Sequence, residues 1–167
     1  MGNRYSAFIR IGGRLPRKEF MAFMEEVYLE GLGLDWATPF PTEMRDPARM
    51  VDLLDRDGHL RLVSESASDG EFRDLEEWLR STGMAYDRHS DVDGGCDRVA
   101  VMWRPDMERP FETGASSDGD ALVGARTVIE AHGALRAGNV DAALDLLHRS
   151  VGALERIGAL PRFEITD

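Results

Sequence analysis

Seven residues near the start of the chain, Tyr5 to Ile11, alternate so that Tyr5, Ala7, Ile9 and Ile11 fall on one face and Ser6, Phe8 and Arg10 on the other. Both faces carry apolar groups, which marks the central strand of a sheet rather than an edge. The 167 residues, 18.6 kDa, are enough for one domain with a sizeable core around that strand.

The rest of the chain supplies partners for it. Gly12 and Gly13 are expected to end the strand, and Pro16 suits the first turn of a helix. Phe20, Phe23, Met24 and Val27 then recur at helical spacing to about Glu30. Gly31, Gly33, Pro39 and Pro41 mark a loop in which Leu34, Trp36 and Phe40 cover the core. Asp46 and Pro47 form an N-cap and N1 pair for a short second helix carrying Met50, Val51 and Leu54, stopped by Gly58. His59 to Ser64 alternates as a second strand. Ser68 and Glu71 read as a capping box for a helix with Phe72, Leu75, Trp78 and Leu79 inward and Gly83 beyond its end. Met84 to Ser90 and Arg98 to Trp103 are two further strands, joined by a hairpin turn at Asp93, Gly94 and Gly95.

Pro105 to Asp120 reads as a polar connector. Beyond it, Leu122, Ala125, Val128, Ile129, His132 and Leu135 form one helical stripe, and Val140, Leu144, Leu147, Val151 and Leu154 form another. Gly138 and Asn139 supply the turn of an antiparallel helical hairpin. The fold class is α+β: a four-stranded mixed sheet in the order β-α-α-β-α-β-β with helices on one face, followed by a C-terminal helical hairpin. The sheet domain spans 1–104, the connector 105–120, the hairpin 121–158, packed on the same domain, and a tail 159–167.

Charge limits the function classes. The net charge is −11, so affinity for the phosphate backbone through counterion release is not expected, and no direct nucleic-acid contact is assigned. The charge is unevenly placed: residues 1–18 carry +5 and no acid, residues 19–97 set 20 acids against 7 arginines, and residues 98–167 set 11 against 8. A single cysteine, Cys96, excludes an internal disulfide and fits a cytoplasmic setting. No apolar run approaches membrane-spanning length, and Met1 to Lys18 lacks the long apolar core of an export signal, so no membrane partner is expected.

Four groups of residues are candidates for chemistry or binding. His89, Asp91, Asp93, Cys96 and Asp97 are the densest possible metal ligands, but a calcium loop opening at His89 would place Ala100 where a bidentate glutamate is needed. Zinc would want more Cys and His, so no metal or cofactor is assigned. Asp87 and His89, at alternate strand positions, could pair for proton transfer, but no nucleophile or oxyanion hole stands beside them, and no catalytic residue is assigned. His132 and His148, on the tail helices, read as boundary or core residues. Arg10, Gly12, Gly13, Arg14 and Arg17 form a candidate anion site at a strand-to-helix turn, the basis of an alternative reading as a small-ligand domain or enzyme.

The fourth group is acidic: Asp52, Asp55 and Asp57 before the second strand, Glu71, Asp74, Glu76 and Glu77 at the third helix, and Asp87, Asp91, Asp93 and Asp97 around the hairpin. On one face these carboxylates would imitate a phosphate track and fit a basic surface of another protein, with Arg56, Arg73 and Arg88 interrupting the field. A homodimer through Trp36, Phe111 or the tail helices is a further expectation.

The element order resembles the C-terminal domain of bacterial translation initiation factor three and archaeal chromatin proteins of the Alba type, a likeness of topology only. Gly138 to Arg149, GNVDAALDLLHR, resembles the turn and second helix of a tetratricopeptide unit, which implies a helical hairpin. The segments NRYSAFIRIGGRLPR, DGEFRDLEEWLRSTGMAYDRHSD and RVAVMWRPDME resemble uncharacterised small acidic proteins of bacterial plasmids and other mobile elements. That likeness implies a bacterial cytoplasmic or phage-associated setting, in which small acidic proteins include inhibitors of host defence of the anti-CRISPR or anti-restriction type; the acidic middle segment and the lack of a catalytic constellation make the expected function a non-enzymatic interaction protein binding a basic surface of a nucleic-acid-handling partner.

Overall fold

β1 runs from Arg4 to Pro16 and is the axis of the sheet, as its two apolar faces require. The computed structural model describes residues 3–41, 46–91, 98–116 and 121–167. β1 is antiparallel to β2 (Leu60–Ser68) on one side and to β3 (Ala85–Ser90) on the other. β4 (Arg98–Trp103) and β5 (Phe111–Ala115) extend the sheet antiparallel beyond β3. β6 (Phe163–Thr166) runs parallel to the last residues of β1, from Gly13 to Pro16. The sheet is therefore α+β in setting, mixed, and six-stranded rather than four-stranded.

The two additional strands lie where the sequence reads as connector and tail. The strand break expected at Gly12 and Gly13 is absent. Gly12 is an interior ladder position whose missing side chain admits the linker before β6; a β-carbon there would collide with the Pro161 carbonyl oxygen. Gly13 donates its N–H to the Arg162 carbonyl at 3.0 Å, and Phe163 donates to Gly58 at 2.8 Å.

A 3-10 turn (Arg17–Glu19) leads into α1 (Phe20–Leu29), shorter at its start than the spacing predicts. The Asp46 side chain accepts the Ala48 N–H at 3.0 Å, the expected cap, but the helix it opens, Pro47–Leu53, is 3-10 rather than α. The expected capping box is not formed. Ser68 to Glu71 is a tight turn with positive φ at Asp69 (54°) and Gly70 (72°), the mark of an Asp-Gly reversal. α2 (Arg73–Thr82) begins beyond it and ends at left-handed Gly83, as the sequence indicates.

β-Register divides the side chains between two faces. Ala7, Ile9, Ile11, Leu60, Leu62, Tyr86, Val101 and Trp103 line the inner face and share one core with Phe20, Phe23, Met24 and Val27 of α1 and Leu75 and Leu79 of α2. Phe40 is buried with them, whereas Trp36 is 46% exposed and does not cover the core. The opposite, outer face carries Phe8, Arg10, Arg61, Asp87 and His89. The helical hairpin is present as α3 (Ala125–Arg136) and α4 (Val140–Ile157), with Asn139 capping Ala142 at 3.2 Å after left-handed Gly138. Its two apolar stripes meet only in part: Leu147, Val151 and Leu154 are half-buried, whereas Val128, Ile129, Leu135, Val140 and Leu144 stand in solvent, and so do His132 and His148.

Candidate functional site

α1 and α2 lie side by side over the inner face, and what they present to solvent is acidic. The residues that turn inward, Phe23, Met24 and Val27 in α1 and Leu75 and Leu79 in α2, leave Glu25, Glu26 and Glu30 on one helix and Asp74 and Glu77 on the other, directed away from the core. α1 contains no basic residue. The two arginines of α2 are engaged, Arg73 with Glu71 at 3.0 Å and Arg80 with the Tyr86 hydroxyl at 3.0 Å. Glu25, Glu26, Asp74 and Glu77 make no ion pair among the described residues.

Glu30 joins the two helices. α2 has no side-chain cap of its own, and the Glu30 carboxylate accepts the Asp74 N–H at 3.2 Å, acting as a cap from another helix at the positive end of the α2 dipole. Burial pushes the Glu30 carboxyl up, the α2 N–H groups of Leu75 and Asp74 pull it down, and the charges of Asp74 and Glu76 push it further up; the net direction is upward. Met21 (54% exposed) and Leu29 (72%) flank Glu25 at four-residue spacing, giving the surface an apolar ridge beside its acids.

Most of the other acids named from sequence are paired with arginines of the chain itself. Asp55 and Asp57 converge on Arg10: its Nε donates to Asp55 Oδ2 at 3.0 Å and its Nη2 to Asp57 Oδ2 at 2.9 Å. Nη2 also donates to Nδ1 of buried His59 at 2.8 Å, while His59 Nε2 contacts the Leu160 carbonyl at 3.0 Å. A guanidinium can only donate and a carbonyl can only accept, so His59 is the neutral tautomer with its proton on Nε2. The carboxylate and imidazole atoms of Asp55, Asp57 and His59 lie within 4.8 Å of one another, a spacing a metal could use. The cation they hold is Arg10. Burial pushes the Asp55 carboxyl up, but the His59 backbone N–H and the Arg10 guanidinium outweigh it and hold it below the ordinary carboxylate range.

Glu76, expected on an acidic face, points inward. Its carboxylate meets Arg88 Nε of β3 at 2.7 Å, with both side chains under 10% exposed, and also accepts the Phe72 N–H at 3.2 Å. Arg88 further donates to the Gly70 carbonyl and to Ser90 Oγ. Asp87 receives Arg104 Nη1 at 2.7 Å on the outer face, and Asp91 pairs with Arg98 at 2.8 Å. Asp52 is exposed on the 3-10 helix, and Asp93 and Asp97 lie outside the described residues, as do Cys96 and the expected turn at Gly94 and Gly95. The named acids are thus split between two sides of the sheet, and the open part of the field is on α1 and α2.

The strand-to-helix turn expected to hold an anion is instead β-ladder. Arg10 is committed to Asp55 and Asp57, Gly12 lies under Pro161, and the Gly13 N–H is spent on Arg162. Arg14 and Arg17 stand in solvent with Glu164 and Asp167 at 3.6 and 3.3 Å. On the outer face a cleft of about 280 Å³ is bordered by Phe8, Trp36, Arg61 and His89. The imidazole stacks on Phe8 with ring centroids 4.7 Å apart, and Arg61 lies 4.9 Å from the same ring. Asp87 and His89 share this face, but Asp87 serves Arg104 and His89 serves Phe8.

Sequence reasoning missed Glu25, Glu26 and Glu30. The signal was present: two acids and no base within a helix whose Phe23, Met24 and Val27 fix the inward direction, with a third acid, Glu30, at its C-cap. No helix of the described residues is long and apolar enough to cross a membrane. Compared with protein-family models, curated proteins and solved structures, the chain matches none of them.

Proposed function

We propose that this chain is a non-enzymatic interaction module whose acidic α1–α2 layer binds a basic surface of a nucleic-acid-handling protein. The observation that carries this reading is the contrast between two sets of acids. Asp55, Asp57, Glu76, Asp87 and Asp91 are consumed by arginines of the chain itself, whereas Glu25, Glu26, Asp74 and Glu77 make no ion pair among the described residues, and Arg73, whose charge Asp74 also feels, is paired with Glu71. A cationic partner would find these carboxylates open, and Met21 and Leu29 add apolar contact area beside the charges. Surfaces that handle phosphate backbones are the most cationic a protein presents, so occupation by this layer would compete with nucleic acid. Applied to a defence nuclease, that competition is inhibition of the anti-CRISPR or anti-restriction type.

The test is affinity capture from bacterial lysate by the wild-type chain and by the variant Glu25→Gln, Glu26→Gln, Asp74→Asn, Glu77→Gln. A partner that binds nucleic acid, leaves the wild type as salt rises from about 0.1 to 0.5 M, and is not retained by the variant is the expected result. Partners held equally by both chains, or unchanged at high salt, would overturn the reading.

A further inference from the structure

α3 and α4 pack on one another through small residues. Among their described residues only Ala131, Ala143 and Gly152 are fully buried; Leu146, Leu147, Val151, Leu154 and Ile157 of α4 are half-buried, and Val128, Ile129, Leu135, Val140 and Leu144 stand outside the contact. At 100° per residue, Leu135, Val128 and Ile129 follow one another around α3 on one flank of the line through Ala131. Val140 and Leu144 occupy the corresponding flank of α4 beside Ala143. Two antiparallel helices view one another in opposite senses, so these flanks form a single face of the hairpin.

Exposures are 50% for Val128, 69% for Ile129, 49% for Leu135, 53% for Val140 and 46% for Leu144, and Leu122 just before α3 is 52% exposed. Together these residues show roughly 500 to 600 Å² of largely apolar surface, at the upper end of the about 300 to 600 Å² of the largest patch on a typical monomer, a patch that is often functional. The charge of this element differs from that of the chain. Ala125 to Ile157 carries four arginines and four acids, neutral within a protein of net charge −11. A basic partner gains nothing from this surface, and a strongly charged one would desolvate without compensation. A second copy of the same face meets neither penalty.

We propose that the α3–α4 hairpin is a dimerisation element that packs, about a two-fold axis, on the hairpin of a second copy of this chain to form a four-helix bundle. The exposed face is its own complement under that axis. Two copies would bury about 1,100 Å² from the named residues alone, and the surrounding helix surface brings the total into the range of a stable specific interface, about 1,200 to 2,000 Å². The α1–α2 layer is a different surface, so this dimer does not depend on the function proposed above.

Sedimentation velocity of the full chain over about 1 to 200 µM tests it. A monomer–dimer equilibrium is expected, unchanged between about 0.05 and 0.5 M salt because the contact is apolar and neutral. Ile129→Glu and Leu144→Glu should each weaken dimerisation by about 100-fold or more, since each would bury an unpaired carboxylate, while far-UV circular dichroism stays at the wild-type value. The four-residue acid variant of α1 and α2 should dimerise as the wild type does. A wild-type monomer across the whole range, open-ended association, a strongly salt-dependent dimer, or variants that dimerise unchanged would each overturn the proposal.

Discussion

Removing the Glu76 carboxylate strands the Arg88 guanidinium beneath α2, and the cost can be worked from its surroundings. Both side chains are almost sealed from water, with 6% and 8% exposure, and the ion pair spans 2.7 Å between strand and helix. Breaking a buried pair by deleting one partner costs about 3 to 5 kcal/mol, because the remaining charge keeps its desolvation penalty and loses its compensation. About 1 kcal/mol of this belongs to the Phe72 N–H, which loses its acceptor at the start of α2. Glu76→Ala should therefore remove about a fifth or more of a domain stability of about 5 to 15 kcal/mol.

Glu76→Gln, which keeps an acceptor for Phe72 but not the charge, should cost less, about 1.5 to 3 kcal/mol. The double variant Glu76→Leu, Arg88→Met removes both charges and should return to within about 1 kcal/mol of the wild type. Urea unfolding followed by tryptophan fluorescence measures all three, since Trp78 packs on Phe23 and Trp103 on Tyr86 in the core next to the pair. A Glu76→Ala loss below about 1 kcal/mol, or a double variant as unstable as the single one, would refute the reasoning.

Gly12→Ala should lower stability by about 1 to 3 kcal/mol and free the C-terminal strand, because the new methyl group displaces Pro161 and with it the β1–β6 ladder; thermal unfolding and limited proteolysis around residues 158–163 report both effects. Asp55 has a folded-state value below the unfolded one of about 3.9, so its contribution is complete above that pH and is lost as pH falls through the folded value. The stability of the wild type should accordingly drop more steeply than that of Asp55→Asn below about pH 4, the variant starting lower at neutral pH, as read from urea midpoints across pH 2 to 7.

The parts of this fold that follow from local pattern are legible in the sequence. β1 is central because Phe8 opposes Ala7, Ile9 and Ile11; β4 keeps its expected bounds because Val99, Val101 and Trp103 alternate without interruption; and Gly83 ends α2 in the left-handed region. What failed depends on partners distant in the chain. β6 has only four residues and exists because it meets β1 some 150 positions earlier. Gly12 reads as a strand breaker until the Pro161 carbonyl is seen lying over it.

The cap of α2 comes from Glu30, 44 residues before Asp74, and no local box could announce it. Arg88 was partly legible: it alternates with Tyr86 and Ser90, and that periodicity already places it on the inner face opposite Asp87 and His89. The candidate surface was half legible for the same reason. Linear spacing grouped acids by position in the chain, while their function depends on which have an arginine across the sheet. Asp55 and Asp57 do, through Arg10 of β1; Asp74 and Glu77 do not.

The most direct test of an open acidic layer is a titration of the full chain with an arginine-rich peptide, following backbone amide shifts residue by residue. The account expects the largest shifts over Glu25–Glu30 and Arg73–Trp78, disappearing at high salt, with Asp55–His59 and Asp87 unmoved because their charges are already matched by Arg10 and Arg104. Shifts centred on Asp55–His59 or Asp87, with α1 and α2 silent, would contradict it.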